Sequence, residues 1–195
     1  MVDVNDLTTL AALKEYIGID DASEDAFLDK GITRATRRIE GFTDRLLKLR
    51  AYEETYDGTG TPFLMLRQFP IVALTEVKID ALRQFGVSTA VDLLSVVVSK
   101  EEGKIGLAAA GVPISWSATF PLGTRIVKVK YTAGFASIPA DLELAAIKVA
   151  AMDFARAREG GDGIISESIS GRSVTWKDGV PEEVAEMLLP YRRSA

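Results

Sequence analysis

The sequence predicts an α+β fold, mainly α: a bundle of about four helices with a small antiparallel β subdomain inserted into it. Three observations carry this reading. Apolar residues recur at steps of three and four up to about residue 50, change to short β-branched runs until about 135, and then return to helical spacing. Glycine and proline punctuate the middle stretch at Pro70, Gly86, Gly103, Gly111 and Gly123. A chain of 195 residues suits one domain with an appended subdomain better than two independent folds. The expected organisation is a single domain over 1–195, its helical part at 1–50 and 136–195 and its β-rich insert at about 51–135.

Leu7 to Ile17 reads as a short amphipathic helix capped by Asn5 and Asp6 and stopped by Gly18. Asp20, Asp21, Ser23, Glu24 and Asp25 then supply acceptors and negative charge for a second helix start. From there Leu28, Ile32, Ala35, Ile39, Phe42 and Leu46 form one apolar stripe, which predicts a helix of about 24 residues. Its other faces carry Arg34, Arg37, Arg38 and Arg45. Tyr52–Tyr56 and Phe63–Leu66 flank Asp57-Gly-Thr-Gly60, which predicts a hairpin. Ile71–Asp80, Val91–Ser99 and Ile126–Thr132 read as strands, with shorter ones at Lys104–Leu107 and Ser115–Ala118.

Pro139, followed by Asp141 and Glu143, opens a helix whose apolar residues Leu142, Ala145, Ala146, Val149, Ala150, Met152 and Phe154 cover a wide arc. Such an arc predicts burial against more than one neighbour, at the centre of the bundle. Glycines at 160, 161 and 163 end it and open a loop over Ile164–Lys177. A last short helix starts near Pro181, with Val184, Met187, Leu188 and Tyr191 on one face and Arg192 and Arg193 at its end. That face either closes the domain core or docks in a partner's groove.

The chain has no cysteine and no histidine, which removes disulfides, thiolate and imidazole metal sites and the Ser-His and Cys-His modes of catalysis. Its net charge of −5 argues against a surface built to grip DNA phosphates. Hydrophobic residues make up 47% of the chain, a slight surplus that an oligomer would use. The acidic start Met1–Leu7 has no basic segment or apolar run, so export is not expected. The long uncharged stretch Ile105–Thr124 is broken by Pro113 and Pro121 and by three glycines, so no membrane partner is expected either.

No motif assembles chemistry. The 20–25 acids lack the ligand alternation, central glycine and closing glutamate of a calcium loop. Gly58 and Gly60 precede no lysine and open no helix, as a phosphate loop would. Ser166, Ser168, Ser170 and Ser173 lie in neither a Gly-x-Ser-x-Gly nor a Ser-x-x-Lys pattern. No catalytic residue, cofactor or metal is therefore expected. The arginines of the long helix suit a solvated or intersubunit face, and less well a path along phosphates.

Four segments carry a family resemblance: LTTLAALKEYIGIDDASEDAFLDKGITRATRRIEGFTDR at the start; YDGTGTPFLMLRQFPI with VKID; VKVKYTAGFASIPADLELA; and ISESISGRSVTW followed by VPEEVAEMLLPYRR. Together they resemble the head-tail connector, adaptor or head-completion proteins of tailed bacteriophages, which form the ring below the portal. The match spans roughly two thirds of the chain and is weak over 81–124.

The resemblance implies a structural subunit in the virion neck, assembled in the host bacterial cytoplasm. The implied partners are the portal protein, a stopper or tail-completion protein, and further copies in a closed ring of about a dozen. DNA would pass through without specific binding. In that setting Val184, Met187, Leu188, Tyr191, Arg192 and Arg193 are candidates for holding the portal. Ile164, Ser168, Ile169, Arg172 and Trp176 are candidates for a contact loop to a neighbour or the portal. Arg34, Arg37, Arg38 and Arg45 are candidates for an intersubunit helix face. The alternatives are a tail-completion or neck protein one layer lower, and a small DNA-binding regulatory module.

Overall fold

The computed structural model describes residues 3–108, 118–159, 168–169, 172–173, 176–177 and 179–193. The chain divides into two compact units, a helical one of Met1–Lys48 with Ser137–Ala195 and a β unit of Leu49–Ala136.

In the helical unit α1 (Leu10–Ile17), α2 (Asp25–Thr43), α3 (Ala140–Glu159) and α4 (Glu182–Leu188) follow in chain order. As its wide apolar arc predicts, α3 is the central helix, packed on all three others. Leu142, Ala145, Ala146 and Val149 of α3 are fully buried, as are Leu13 of α1 and Ile32, Ala35 and Ile39 of α2. The small residues of α3 let its neighbours approach closely. Each fully buried leucine or isoleucine contributes about 1.5–3 kcal/mol.

Two helix boundaries differ from the pattern-based expectation. The cap of α1 is Thr9, whose hydroxyl accepts from the Ala12 N–H at 3.2 Å. Asp6 is instead buried, where its carboxylate accepts from the Asp3 N–H and the Thr33 hydroxyl and so ties the N-terminal turn to α2. Helix α2 has 19 residues and ends at Thr43, because Asp44 turns left-handed at φ 53°. The N–H groups of Asp44 and Arg45 both return to the Glu40 carbonyl, and Leu46 lies past the helix end, half-buried.

The β unit holds two three-stranded antiparallel sheets. One has the order β1 (Arg50–Gly58), β6 (Gly123–Ala133), β3 (Ile71–Ile79); the other has the order β2 (Phe63–Met65), β5 (Lys104–Leu107), β4 (Val96–Ser99). Both contribute to one core, with Tyr56, Ile71, Val77, Val127, Val129 and Tyr131 from the first and Leu64 and Ile105 from the second.

The segments around Asp57–Gly60 do not form a hairpin, since β1 pairs with β6 and β2 with β5. A Cβ on Gly58 would lie 1.7 Å from the Pro121 carbonyl oxygen, so only glycine fits that close crossing. The Gly60 N–H donates to Phe120 O and the Phe120 N–H to Thr61 O, while the hydroxyls of Thr59 and Thr61 donate to Phe63 O. The turn thus carries the chain from one sheet to the other. Over Val91–Ser99 only Val96–Ser99 is strand, preceded by a 3-10 turn at Leu93–Ser95 that the Asp92 carboxylate caps. The strand expected at Ser115–Ala118 falls mostly outside the described residues.

Beyond α3 the backbone forms short antiparallel pairs, β7 (Ser168–Ile169) with β8 (Arg172–Ser173) and β9 (Trp176–Lys177) with β10 (Val180–Pro181).

Candidate assembly surfaces

The C-terminal segment is bolted to its own unit. Val184 and Leu188 are 1% and 0% exposed, so they close the helical core and are not free to enter a partner's groove. Tyr191 continues the attachment: its hydroxyl donates to the Asp141 carboxylate at 2.7 Å. Partial burial, with that carboxylate beside it, pushes the phenol up to about 12. Its carbonyl accepts from Arg45 Nη1 at 2.8 Å.

Arg45, expected on an outward helix face, is 3% exposed. The left-handed turn at Asp44 removes it from the helix and directs it inward. The Arg193 N–H donates to Thr43 O at 3.0 Å and its guanidinium lies 3.5 Å from the Asp44 carboxylate. The Arg192 guanidinium stands 5.4 Å from the Phe42 ring centroid. Both cations thereby sit at the negative end of the α2 dipole. Outward from this end project Arg192 and Arg193, with Met187 and Tyr191 half-exposed.

The other helix arginines divide. Arg38 reaches Asp153 of α3 at 2.9 Å and ties two helices together. Arg34 lies over the Phe27 ring at 5.5 Å, and Arg37 approaches Glu40 at 3.6 Å; both are exposed. Two of the four are therefore occupied inside the unit, which leaves Arg34 and Arg37 as the outward part of the expected intersubunit face and too short a run to track a duplex backbone. Of the contact-loop residues, Ser168, Ile169, Arg172 and Trp176 fall on strands β7, β8 and β9, and Ile164 lies outside the described residues. Strand β10, which pairs with β9, rests against α2 and α4.

The β unit has two polar features that no sequence motif marks. Inside, the half-buried Glu54 carboxylate accepts from both the Tyr56 and the Tyr131 hydroxyls, the latter at 2.6 Å, while those phenols accept the N–H groups of Arg67 and Gln68. Burial foremost, and the carboxylate next, raise both tyrosines above their ordinary range. On the outer face of the first sheet, Glu53, Lys128, Lys130, Glu76 and Lys78 form a ladder of ion pairs. The period-2 spacing of Tyr52, Glu54 and Tyr56 is the signal that would have exposed the inner cluster, because it sets a carboxylate on a face otherwise packed with apolar residues.

Among the described residues no group of acids can hold a metal ion, and no helix is long and apolar enough to cross a membrane. Each unit carries polar side chains spent on its own interior and others left at its surface. The family model for head completion proteins matches residues 6–194. The chain belongs to the head completion protein family, and its role is structural, in completing a phage head.

Solved structures share the fold. A chain in the neck of an empty gene transfer agent (GTA) particle, computed with C6 symmetry, is 22% identical at a TM-score of 0.62, over 97% of this chain and 91% of that one. A chain of the native GTA virion gives the same values. A chain in the native GTA neck computed with C12 symmetry is 22% identical at a TM-score of 0.56, over 95% and 88%. No curated protein matches the sequence.

Proposed function

We propose that this chain is a subunit of a closed ring at the head-tail neck, docked under the portal, extending the DNA channel and receiving the stopper or tail-completion protein below. The observation that carries the reading is the family match over residues 6–194; the fold shared with chains of GTA necks supports it. The net charge of −5 supports passage of DNA without adhesion, since a channel that neutralised phosphates would hold the genome. The two units act together as one connector domain, assembled in the host cytoplasm, and the role is not enzymatic.

Portal contact falls to the outward C-terminal groups, Arg192 and Arg193 with Met187 and Tyr191, while Val184 and Leu188 support them from the core. Arg34 and Arg37 offer the helix face to a neighbour, and the β7–β9 segment offers the contact loop. The test is capture of the full chain by immobilised portal protein. The double variant Arg192→Gln, Arg193→Gln should keep the helical circular dichroism and lose retention on the portal. Equal retention of variant and parent would refute the C-terminal contact. Retention by tail-tube protein and not by portal would move the chain one layer lower.

A further inference from the structure

The Asp80–Val87 turn of the β unit holds an apolar side chain outward on a fixed support. The Asp80 carboxylate accepts from the N–H groups of Leu82 at 2.8 Å, Gln84 at 3.0 Å and Phe85 at 2.7 Å, and the Asp80 carbonyl accepts from the Arg83 N–H at 3.1 Å. Those amides, Leu82 foremost, hold the carboxyl below its usual range. The bonds keep Arg83 and Phe85 left-handed at φ 59° and 52°, a region that residues with a side chain seldom adopt. The Lys128 ammonium stands 5.6 Å from the Phe85 ring centroid and steadies the turn from behind. Leu82 emerges 76% exposed, and among the described residues the Arg83 guanidinium has no ion-pair partner.

The helical unit carries a surface of opposite character. An open depression of about 580 Å³ is lined by Leu10, Ala11, Lys14, Glu15, Ile19 and Asp20. Leu10, Ala11 and Ile19 supply its apolar lining. The Lys14 ammonium is spent on Asp25 at 2.7 Å and the Asp21 carbonyl at 2.6 Å, whereas Glu15 and Asp20 have no ion-pair partner among the described residues, so the rim is negative. The chain as a whole repeats this contrast. The helical unit has 14 Lys and Arg against 20 Asp and Glu, a net −6, and the β unit has 9 against 8, a net +1.

We propose that the Asp80–Val87 turn of one copy docks in the α1 depression of a second copy of this chain, with Leu82 over Leu10, Ala11 and Ile19 and the Arg83 guanidinium between Glu15 and Asp20. The charges complement, and an apolar knob meets apolar lining residues. Because the two surfaces differ, the contact is head-to-tail and propagates around a closed ring. This inference rests on the ring reading above and assigns its interface.

The absence of cysteine makes the test clean. A chain carrying both Leu82→Cys and Ala11→Cys, assembled on portal-bearing heads and mildly oxidised, should give a ladder of disulfide-linked multimers, and either single variant none beyond background. Rings visible by electron microscopy that release only monomers overturn the docking and leave the ring reading intact. Heads on which the chain forms no ring overturn both. A Leu82→Cys chain that links only to portal protein assigns the turn to that partner and overturns the proposal. In a second measurement Arg83→Glu should weaken self-association roughly tenfold, and Arg83→Glu with Asp20→Arg should recover most of it. Folded single and swapped variants that associate as tightly as the parent contradict the proposal.

Discussion

In the helical unit, polar side chains join elements far apart in sequence: Arg38 to Asp153, Arg45 to the Tyr191 carbonyl, Tyr191 to Asp141. In the β unit, Glu54, Tyr56 and Tyr131 turn their polarity inward, and the ion pairs of the outer sheet face tie β6 to its neighbours β1 and β3. Exposure runs the other way. Among the described residues, eight of the twelve exposed large hydrophobic residues lie in Leu49–Ala136. The helical unit spends its distinctive groups on its own integrity, and the β unit leaves apolar groups exposed on strands and turns. Residues that look adhesive in sequence are therefore poor guides to the partner surface when they sit at helix ends.

The largest effect should come from the C-terminal bolt. Leu188→Ala removes a fully buried side chain and should cost about 3 kcal/mol, read as a lower urea midpoint. Deleting Pro181–Ala195 should unfold the helical unit, not merely detach it from a partner. A deletion that retains the parent's helical dichroism and midpoint would contradict the placement of α4 in the core. Next, Glu54→Leu leaves two buried phenols without their shared acceptor and should cost about 2 kcal/mol. Amide exchange should show the loss in Leu49–Ala136; loss confined to the helices would break the contrast between the units.

Much of the architecture is legible in the sequence because periodicity reports burial directly. The wide arc of α3, the Ile71–Ile79 strand and the Lys104–Leu107 strand all appear where the pattern sets them. Three features escape it for physical reasons. A helix end made by a left-handed aspartate carries no glycine, so the stripe in the sequence runs on to Leu46. A glycine turn joining two sheets has the composition of a hairpin, and only the Pro121 carbonyl against Gly58 distinguishes it. An apolar helical face such as Val184 and Leu188 has the same spacing whether it covers its own core or a partner's groove. The Leu82 turn is hidden differently, in Asp-Ala-Leu-Arg-Gln-Phe-Gly, where nothing marks the carboxylate as the hub.

Thr9→Ala should cost the helical unit about 1 kcal/mol, visible as earlier fraying of α1 in amide exchange. Tyr191 tests the bolt by pH. Its folded phenol titrates near 12, above the ordinary value of about 10, so its contribution is complete below pH 10 and is lost as pH rises through 12. Tyr191→Phe should therefore remove part of the alkaline loss in the helical unit, and tyrosinate absorbance showing Tyr191 titrating at the ordinary value would contradict the bond to Asp141. Lys130→Ala should have the least effect, since its partners Glu53 and Glu76 are solvent-screened, and that effect should vanish in high salt.

The proposed ring in the neck is open to electron microscopy of portal-bearing heads assembled with and without the chain. Added density below the portal, closed and cyclically symmetric, is expected only when the chain is present. Heads that bind it as isolated copies, or away from the portal vertex, would refute the ring.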